Sequence, residues 1–321
     1  MINDTDDIKV SVCVVTYNQE KYIAECLDSL VSQETDFKFE IIVGEDCSTD
    51  GTRAIIQQYV DKYPSLIKPI FHKQNVGAVE NIKQVYVAAK GKYIAHMDGD
   101  DMALPDKLQK QFDILEENSD CNVCSHDMSK IEKSGKVKKK DWNYPEGEYD
   151  LLDFYKRLPF FAHSSKMFRN KYEDVFWSEL LVDPYILDID IHISNLEDGN
   201  IYHINERLGV YRANSGISTK GAKYNEVFPL GLERAFEKGL QIYEYDAEKL
   251  KIIKDSYALA MLQCAYNYAI YNKDKILFKT YVEKSINKSD IGIKQNIFKI
   301  ASVFPKFFFK LFILRNHLKE L

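Results

Sequence analysis

Nowhere in the 321 residues does a Gly-x-Gly-x-x-Gly or a Gly-x-x-x-x-Gly-Lys-Ser/Thr run occur. The first absence tells against a dinucleotide cradle for nicotinamide or flavin, and the second against a Walker-type nucleotidase. Any phosphate bound here must have its charge met by a cation rather than by a glycine-rich loop. A cationic surplus is missing too: 43 Lys and Arg stand against 49 Asp and Glu, a formal charge of −6. Proteins that work by neutralising a nucleic-acid backbone carry a dense basic surface, so nucleic acid is not an expected partner. No apolar run reaches the ~20 residues of a membrane span. None of signal-peptide type precedes the first strand-like segment, and the expected location is the cytoplasm. Of six cysteines, the only close pair is Cys121 and Cys124. No second pair completes a zinc site, so these read as strand residues in a reducing compartment.

What is present is an apolar fraction of 45%, that of a globular protein, and enough chain for one large α/β domain with a smaller appendage. Val10 to Val15 is a short β-branched run that stops at Thr16-Tyr17-Asn18, polar punctuation of the kind that ends a buried strand. Tyr22, Ile23, Cys26, Leu27, Leu30 and Val31 then repeat at helical spacing. The pattern recurs. Glu40 to Gly44 is a strand, Glu45 to Thr52 a polar turn, and Ala54 to Val60 a helix. Ile67 to Phe71 leads through Asn75-Val76-Gly77 into a helix near Val79 to Ala89, and Lys92 to Met97 is a fourth strand ending in Asp98-Gly99-Asp100-Asp101.

Strands alternating with helices imply a mostly parallel sheet covered on both faces. Ligands bind such sheets beyond the carboxyl ends of the strands, where the clusters at Thr16, Asp46 and Asp98 are expected to converge. From about Tyr224 the texture becomes helical, as in Glu248 to Tyr271 and Lys275 to Ile286. The expected domains are therefore residues 1–220, α/β, and 221–321, helical.

Asp98, Asp100 and Asp101 can offer a hard divalent cation the one or two carboxylates it takes when phosphate oxygens and water supply the rest. Asp101 can equally cap the helix beginning near Pro105. A carboxylate at Asp46 can accept the imide hydrogen of a uracil or thymine ring, while Ser48, Thr49 and Asp50 suit turn and capping roles.

The ordered set Val12-Cys13-Val14-Val15-Thr16-Tyr17-Asn18, Glu45-Asp46-Cys47-Ser48-Thr49-Asp50-Gly51-Thr52, Asn75-Val76-Gly77 and Asp98-Gly99-Asp100-Asp101 resembles family 2 glycosyltransferases of the inverting, bacterial surface-polysaccharide type. Each motif is weak alone, and the four in order, over residues 9 to 216, are specific. The resemblance implies a GT-A fold, a Rossmann-like sheet flanked by helices, here with a helical carboxyl-terminal extension. It also implies a nucleotide-sugar donor bound by Thr16, Tyr17, Asn18, Asp46 and Asn75. Asp98 would meet the ribose or a metal-bound water, and Asp100, with Asp98, the divalent cation, Mn2+ or Mg2+. Glu45 stands where the family often has Asp, and Cys47 where it often has Gly.

By the same resemblance, Asp188 to Gly199 is similar to the family's Asp-led helix ending in Gly. That implies Asp188 as the base that deprotonates the acceptor hydroxyl, with Asp190 as the alternative. Asp188 as a helix cap is the plainer reading. Val210-Tyr211-Arg212 is similar to a closing Tyr-Arg motif, with Arg212 placed to support the diphosphate or to pair with a surface acid. His163, Ser164 and Ser165 are placed by the acceptor pocket or in an ordinary loop. The expected reaction moves one sugar, UDP-hexose being the first donor and dTDP-rhamnose the second, to a glycan or lipid-linked glycan. The alternative is a GT-A scaffold without turnover.

The stretch from Ile291 to Leu321 carries Lys294, Lys299, Lys306, Lys310, Arg315 and Lys319 against Glu320 alone. Lys299, Lys306 and Lys310 are expected on one helical face, with Phe304, Phe307, Phe308, Phe309, Leu311, Phe312, Ile313 and Leu314 around the rest. A basic, aromatic-rich helix suits peripheral contact with an anionic membrane, at its inner face for a cytoplasmic enzyme. Packing on the catalytic domain, or on a second copy in a homodimer, is the competing use.

Overall fold

A computed structural model describes residues 8–131, 137–140, 144–158, 160–171, 174–181, 188–212 and 223–320. The expected boundary at residue 220 lies outside these. The chain forms two compact units, Met1–Leu151 with Pro159–Ser215, and Leu152–Leu158 with Gly216–Leu321.

The first unit opens with three strand-helix repeats: β1 (Ile8–Thr16), α1 (Ile23–Val31), β2 (Lys38–Glu45), α2 (Thr52–Lys62), β3 (Ile67–Phe71) and α3 (Ala78–Val87). It continues through β4 (Tyr93–Asp98), β5 (Met102–Ala103), α4 (Lys107–Glu117), β6 (Cys121–Ile131), β7 (Val137–Lys140) and β8 (Gly147–Tyr149). After α5 (Leu151–Lys156), which belongs almost wholly to the second unit, come β9 (Met167–Arg169), α6 (Asp174–Leu180), α7 (Asp188–Leu196) and β10 (Asn200–Arg212).

All ten strands join one sheet in the order β3-β2-β1-β4-β9-β6-β10-β5, with β7 on β6 and β8 on β10. The first four run parallel, β9 is antiparallel to both its neighbours, and the long β6–β10 pair is again parallel. Val10, Val12 and Val14 are buried against Ile41, Val43 and the helical residues Ile23, Leu27, Leu30 and Ile56. Burial of such side chains is worth about 1.5–3 kcal/mol each. This β-branched centre is why β1, β2 and β4 read so plainly as buried strands. Cys121 and Cys124 are buried on β6 with free thiols, which burial pushes up.

The second unit packs α8 (Val227–Ile242), α9 (Ala247–Asn267), α10 (Lys275–Lys288), α11 (Ile293–Val303) and α12 (Pro305–Glu320). Asp246 caps α9 through Lys249 N–H at 3.0 Å, and Asp274 caps α10 through Ile276 and Leu277 N–H at 2.8 and 2.9 Å. Phe278, Phe298, Phe309 and Phe312 form its aromatic core. The basic tail expected as a single helical face is instead divided between α11 and α12. Pro305, which has no N–H to give the preceding turn, opens α12 as a first helical residue. Lys299 therefore lies on one helix, and Lys306 and Lys310 on the next.

Candidate active site

The carboxyl ends of β1, β2 and β4 carry the three polar clusters and are adjacent in the sheet, in register Val15↔Gly44, Thr16↔Glu45 and Val15↔Asp98. Backbone bonds lace the turns together. The Thr16 carbonyl accepts from Asp46 N–H at 3.1 Å, and the Val15 carbonyl from Gly99 N–H at 2.9 Å. Thr16 is buried and donates its hydroxyl to Gln19 Oε1 at 2.7 Å. A Cβ at Gly99 would fall 2.5 Å from that Gln19 oxygen and 2.8 Å from Thr16 Oγ1. Only glycine lets the acidic turn lie this close to the first loop.

Asn18 sits in the left-handed region at φ 54°. Its N–H donates to Ser48 Oγ at 2.9 Å, and its Oδ1 accepts from Thr49 N–H at 2.8 Å. Its contacts brace the first two loops against each other and leave Tyr17, 44% exposed, as the open face of this turn. Asp46 is buried, and its two carboxylate oxygens accept from Val76 N–H at 2.6 Å and Gly77 N–H at 3.0 Å, while Asn75 Nδ2 donates to the Asp46 carbonyl at 3.2 Å. Gly77, at φ 88°, gives the backbone turn that aims these amides at Asp46. Asp46 and Asn75 thus fasten the second and third loops to each other. A carboxylate oxygen has a second lone pair, so a base N–H can still be accepted.

Asp98 ends β4. Ser164 Oγ lies 3.3 Å from Asp98 Oδ2 and accepts Asp98 N–H at 3.0 Å, and His96 Nε2 is 3.3 Å from Asp98 Oδ1. Burial pushes this carboxyl up, but the hydrogen bond and charge of His96, with Ser164, hold it below its ordinary value. Asp101 is the reverse: burial, then the charges of Asp98 and Asp100, raise it well above the carboxylate range. Arg212 closes the turn from β10, giving its N–H to Asp101 Oδ1 at 2.9 Å and its Nε to the Asp100 carbonyl at 3.1 Å. Its Nη2 reaches Glu25 Oε2 at 2.6 Å and its guanidinium lies 4.5 Å from the Tyr22 ring centroid. β5, paired Met102↔Val210 and Ala103↔Gly209, ties the same turn to β10.

Three acidic side chains in one turn, with Asp101 raised first by burial and then by the charges of the other two, are a donor set that suits a hard cation. Their ligand atoms do not themselves close into a cage. Among the described residues, the group of three ligating side chains within 4.8 Å of one another is His163, Asp188 and His192. A cation at Asp98 and Asp100 fits as one held by one or two carboxylates with phosphate oxygens and water completing its shell.

Asp188 is the first residue of α7, and its Oδ1 accepts the N–H of the next residue, Ile189, at 3.0 Å. Its Oδ2 also faces His163 Nδ1 and His192 Nε2, each at 3.9 Å. His163, on the short turn His163–Ser165, lies with its ring 3.7 Å from that of His96. A continuous set of side chains therefore runs from Asp98 through His96 and His163 to Asp188. Burial pushes the Asp188 carboxyl up, opposed by the charge of Lys166. Asp190 follows two residues on, about 200° around the helix axis.

The sequence signature described as Glycosyl transferase family 2 matches residues 11–176, which span all of these strand-end loops. The chain belongs to that family. An uncharacterized protein of Mycobacterium bovis is 34% identical to this transferase over 255 residues, 76% of this chain and 71% of its own. Among solved structures, S. aureus TarS 1-349 in complex with UDP-GlcNAc superposes with a TM-score of 0.63 at 20% identity, covering 88% of this chain and 82% of TarS. A mannosyltransferase from Pyrobaculum calidifontis in complex with GDP-Man and Mn2+ gives 0.54 at 14% identity, over 97% and 85% of the two chains. These likenesses show a shared GT-A fold, so the strands of this transferase form the sheet type its motifs imply.

His96, Lys166 and His192 escaped the sequence reading. His96 alternates inside an apolar strand, His192 stands between Ile191 and Ile193, and Lys166 follows Ser164-Ser165, with no spacing that announces chemistry.

Proposed function

We propose that the protein is an inverting glycosyltransferase. It moves a single sugar from a nucleoside-diphosphate donor, UDP-hexose first and dTDP-rhamnose second, to a hydroxyl of a surface glycan or lipid-linked glycan. The observation that carries the reading is the side-chain path joining the acidic turn to Asp188: His96 Nε2 at 3.3 Å from Asp98, His163 on His96, and His163 Nδ1 at 3.9 Å from Asp188. It sets a carboxylate fit for proton removal beside the carboxylates fit for a diphosphate-bound cation.

Tyr17, exposed at the first loop, offers its ring to the base. Thr16, Asn18, Asp46 and Asn75 hold the loops that frame the nucleoside, and Arg212 holds the acidic turn in shape. Asp100 and Asp98 would hold Mn2+ or Mg2+, which when bound supplies Lewis-acid stabilisation of the departing diphosphate. Asp188 removes the acceptor proton as the hydroxyl attacks the anomeric carbon, the diphosphate leaves from the opposite face, and a single displacement inverts the centre.

We place the protein at the inner face of the membrane. Ile293, Ile297 and Ile300 form an exposed stripe on α11, and Phe307, Leu311 and Leu314 another on α12, with exposed Phe304 at the break between them. No helix among the described residues is long and apolar enough to cross a membrane, and these stripes, with Lys299 on α11 and Lys306 and Lys310 on α12, suit an interfacial position.

The test is the thermal shift of the full chain with UDP, dTDP, GDP, CMP and ADP, each with and without Mn2+. Stabilisation by UDP or dTDP that requires Mn2+ and disappears in Asp100→Ala supports the donor site. No shift with any nucleotide rejects the active-transferase reading.

A further inference from the structure

Asp188 is backed by a second buried pair. His192 lies one helical turn beyond it on α7, an i,i+4 neighbour whose Nε2 faces Asp188 Oδ2 at 3.9 Å. The far nitrogen of that imidazole, Nδ1, lies 3.4 Å from Lys166 Nζ, and Lys166 is only 1% exposed. The Phe161 ring, its centroid 4.4 Å from that of His192, packs against the imidazole. An ammonium offers only N–H bonds. Against the ammonium form of Lys166, Nδ1 accepts, and the ring proton is then on Nε2, where it faces the carboxylate. The same construction serves the other carboxylate of the site, with Tyr86 Oη 3.0 Å from His96 Nδ1 and His96 Nε2 3.3 Å from Asp98.

We propose that Lys166 and His192 are positioning residues for Asp188: Lys166 fixes the tautomer of His192, and the His192 Nε2–H holds Oδ2, which leaves the second lone pair of Oδ1, bound on one side by Ile189 N–H, for the acceptor hydroxyl. This rests on the reading of Asp188 as the base. In the step they serve, a bond forms from the acceptor oxygen to the anomeric carbon, the bond from that carbon to the diphosphate oxygen breaks, and the hydroxyl proton passes to Asp188. A gap of 3.9 Å exceeds a hydrogen bond, and contacts of this kind tighten when substrate closes the site. The titratable groups around Asp188 are His163, His192, Lys166, Asp98, Asp190, Tyr86 and Tyr211. Burial lowers Lys166 to about 7, against the pull of Asp188 and Asp98.

His163, Asp188 and His192 also have the makings of a transition-metal site. A metal would need the Nε2 lone pair, and contact with the Lys166 ammonium puts a proton there. The tautomer of His192 therefore decides between the two uses. It is read from the imidazole nitrogens of the 15N-histidine-labelled full chain by NMR, with His192→Gln to assign the signal. Protonated Nε2 and an accepting Nδ1, lost or reversed in Lys166→Met, is the expected result. A proton on Nδ1, a signal indifferent to Lys166→Met, or tight Zn2+ binding that displaces the Nε2 proton overturns the proposal.

Turnover supplies the second arm, as UDP release from UDP-glucose. His192→Leu is expected to lower kcat about 100-fold, within the range of positioned acid–base catalysis, with KM within about twofold. His192→Gln, which keeps an N–H at the same reach, should recover about tenfold of that loss. Equal loss in both variants, or none in His192→Leu, overturns the positioning role. Wild-type turnover in Asp188→Asn would instead remove the base reading and leave the NMR result standing, so the two failures are distinguishable.

Discussion

Asp46 shows how one residue can serve structure and site together. Its two oxygens take the amides of Val76 and Gly77 at 2.6 and 3.0 Å, so the loop bearing Asn75 is held where the nucleoside would lie. Removing the carboxylate in Asp46→Ala leaves both donors without their acceptor, and each orphaned amide costs about 1–3 kcal/mol. We expect a fall of roughly 2 kcal/mol in urea unfolding free energy together with loss of nucleotide stabilisation. Asp46→Asn keeps one acceptor oxygen and should lose about half as much. An Asp46→Ala protein as stable as the parent would mean that the loop is fastened elsewhere.

The turn from β4 to β5 is the element on which the proposed donor site depends, because it approaches the first loop more closely than a side chain allows. A Cβ on Gly99 meets Gln19 Oε1 at 2.5 Å and Thr16 Oγ1 at 2.8 Å. Gly99→Ala should cost about 1–3 kcal/mol, and by pushing Asp98 and Asp100 away from Thr16 it should weaken Mn2+-dependent nucleotide stabilisation more than global stability. Equal losses in the two measurements would argue against a donor site at this turn. The strand-end clusters were legible because strands β1, β2 and β4 are short, β-branched and buried on both faces, so each stops abruptly at its polar residues. The loops' mutual bracing was not legible: nothing in Asn18 or Asp46 as letters says that their polar atoms are turned to neighbouring backbone. The imidazoles stayed hidden for a related reason. His96 and His192 fall on periodic apolar elements, where a single histidine carries no pattern, and only β9 crossing between β4 and β6 brings Lys166 near them. The tail was legible in composition but not in shape, because Pro305 splits what the periodicity presents as one helix.

Across the whole molecule the buried bases set the pH response. His96, His126, His163, His192 and His203 are all held below their ordinary value, burial being the first cause in each. In the unfolded chain they take protons near pH 6.5. Stability they contribute is thus complete above about 6.5 and lost as pH falls below it. Lys107 and Lys166, lowered by burial to about 7, act earlier, eroding stability as pH falls from ~10 towards 7 and no further. Asp101 and Asp188, raised first by burial, oppose the histidines: as pH falls the folded carboxyls take up protons while the unfolded ones still lack them, which adds stability. The unfolding free energy should fall between about pH 7 and 5.5, by up to ~1.4 kcal/mol per unit for each histidine, and the melting temperature with it; a flat profile there would contradict the buried neutral assignment. The exposed stripes of α11 and α12 answer to a different variable, the surface offered to them. Lysines beside apolar side chains should bind vesicles of phosphatidylglycerol and ignore those of phosphatidylcholine, with binding that weakens as salt rises. Phe304 and Phe307 are exposed by 61% and 62%, so replacing both with Ser removes apolar area without opening the core. Each aromatic ring taken out of water contributes about 1.5–3 kcal/mol, and the double variant should lose at least tenfold in vesicle affinity while its melting temperature stays within a few degrees. If the double variant sediments with anionic vesicles as the parent does, the stripes are not what meets the lipid; if it turns a parent dimer into a monomer, the stripes belong to a second copy.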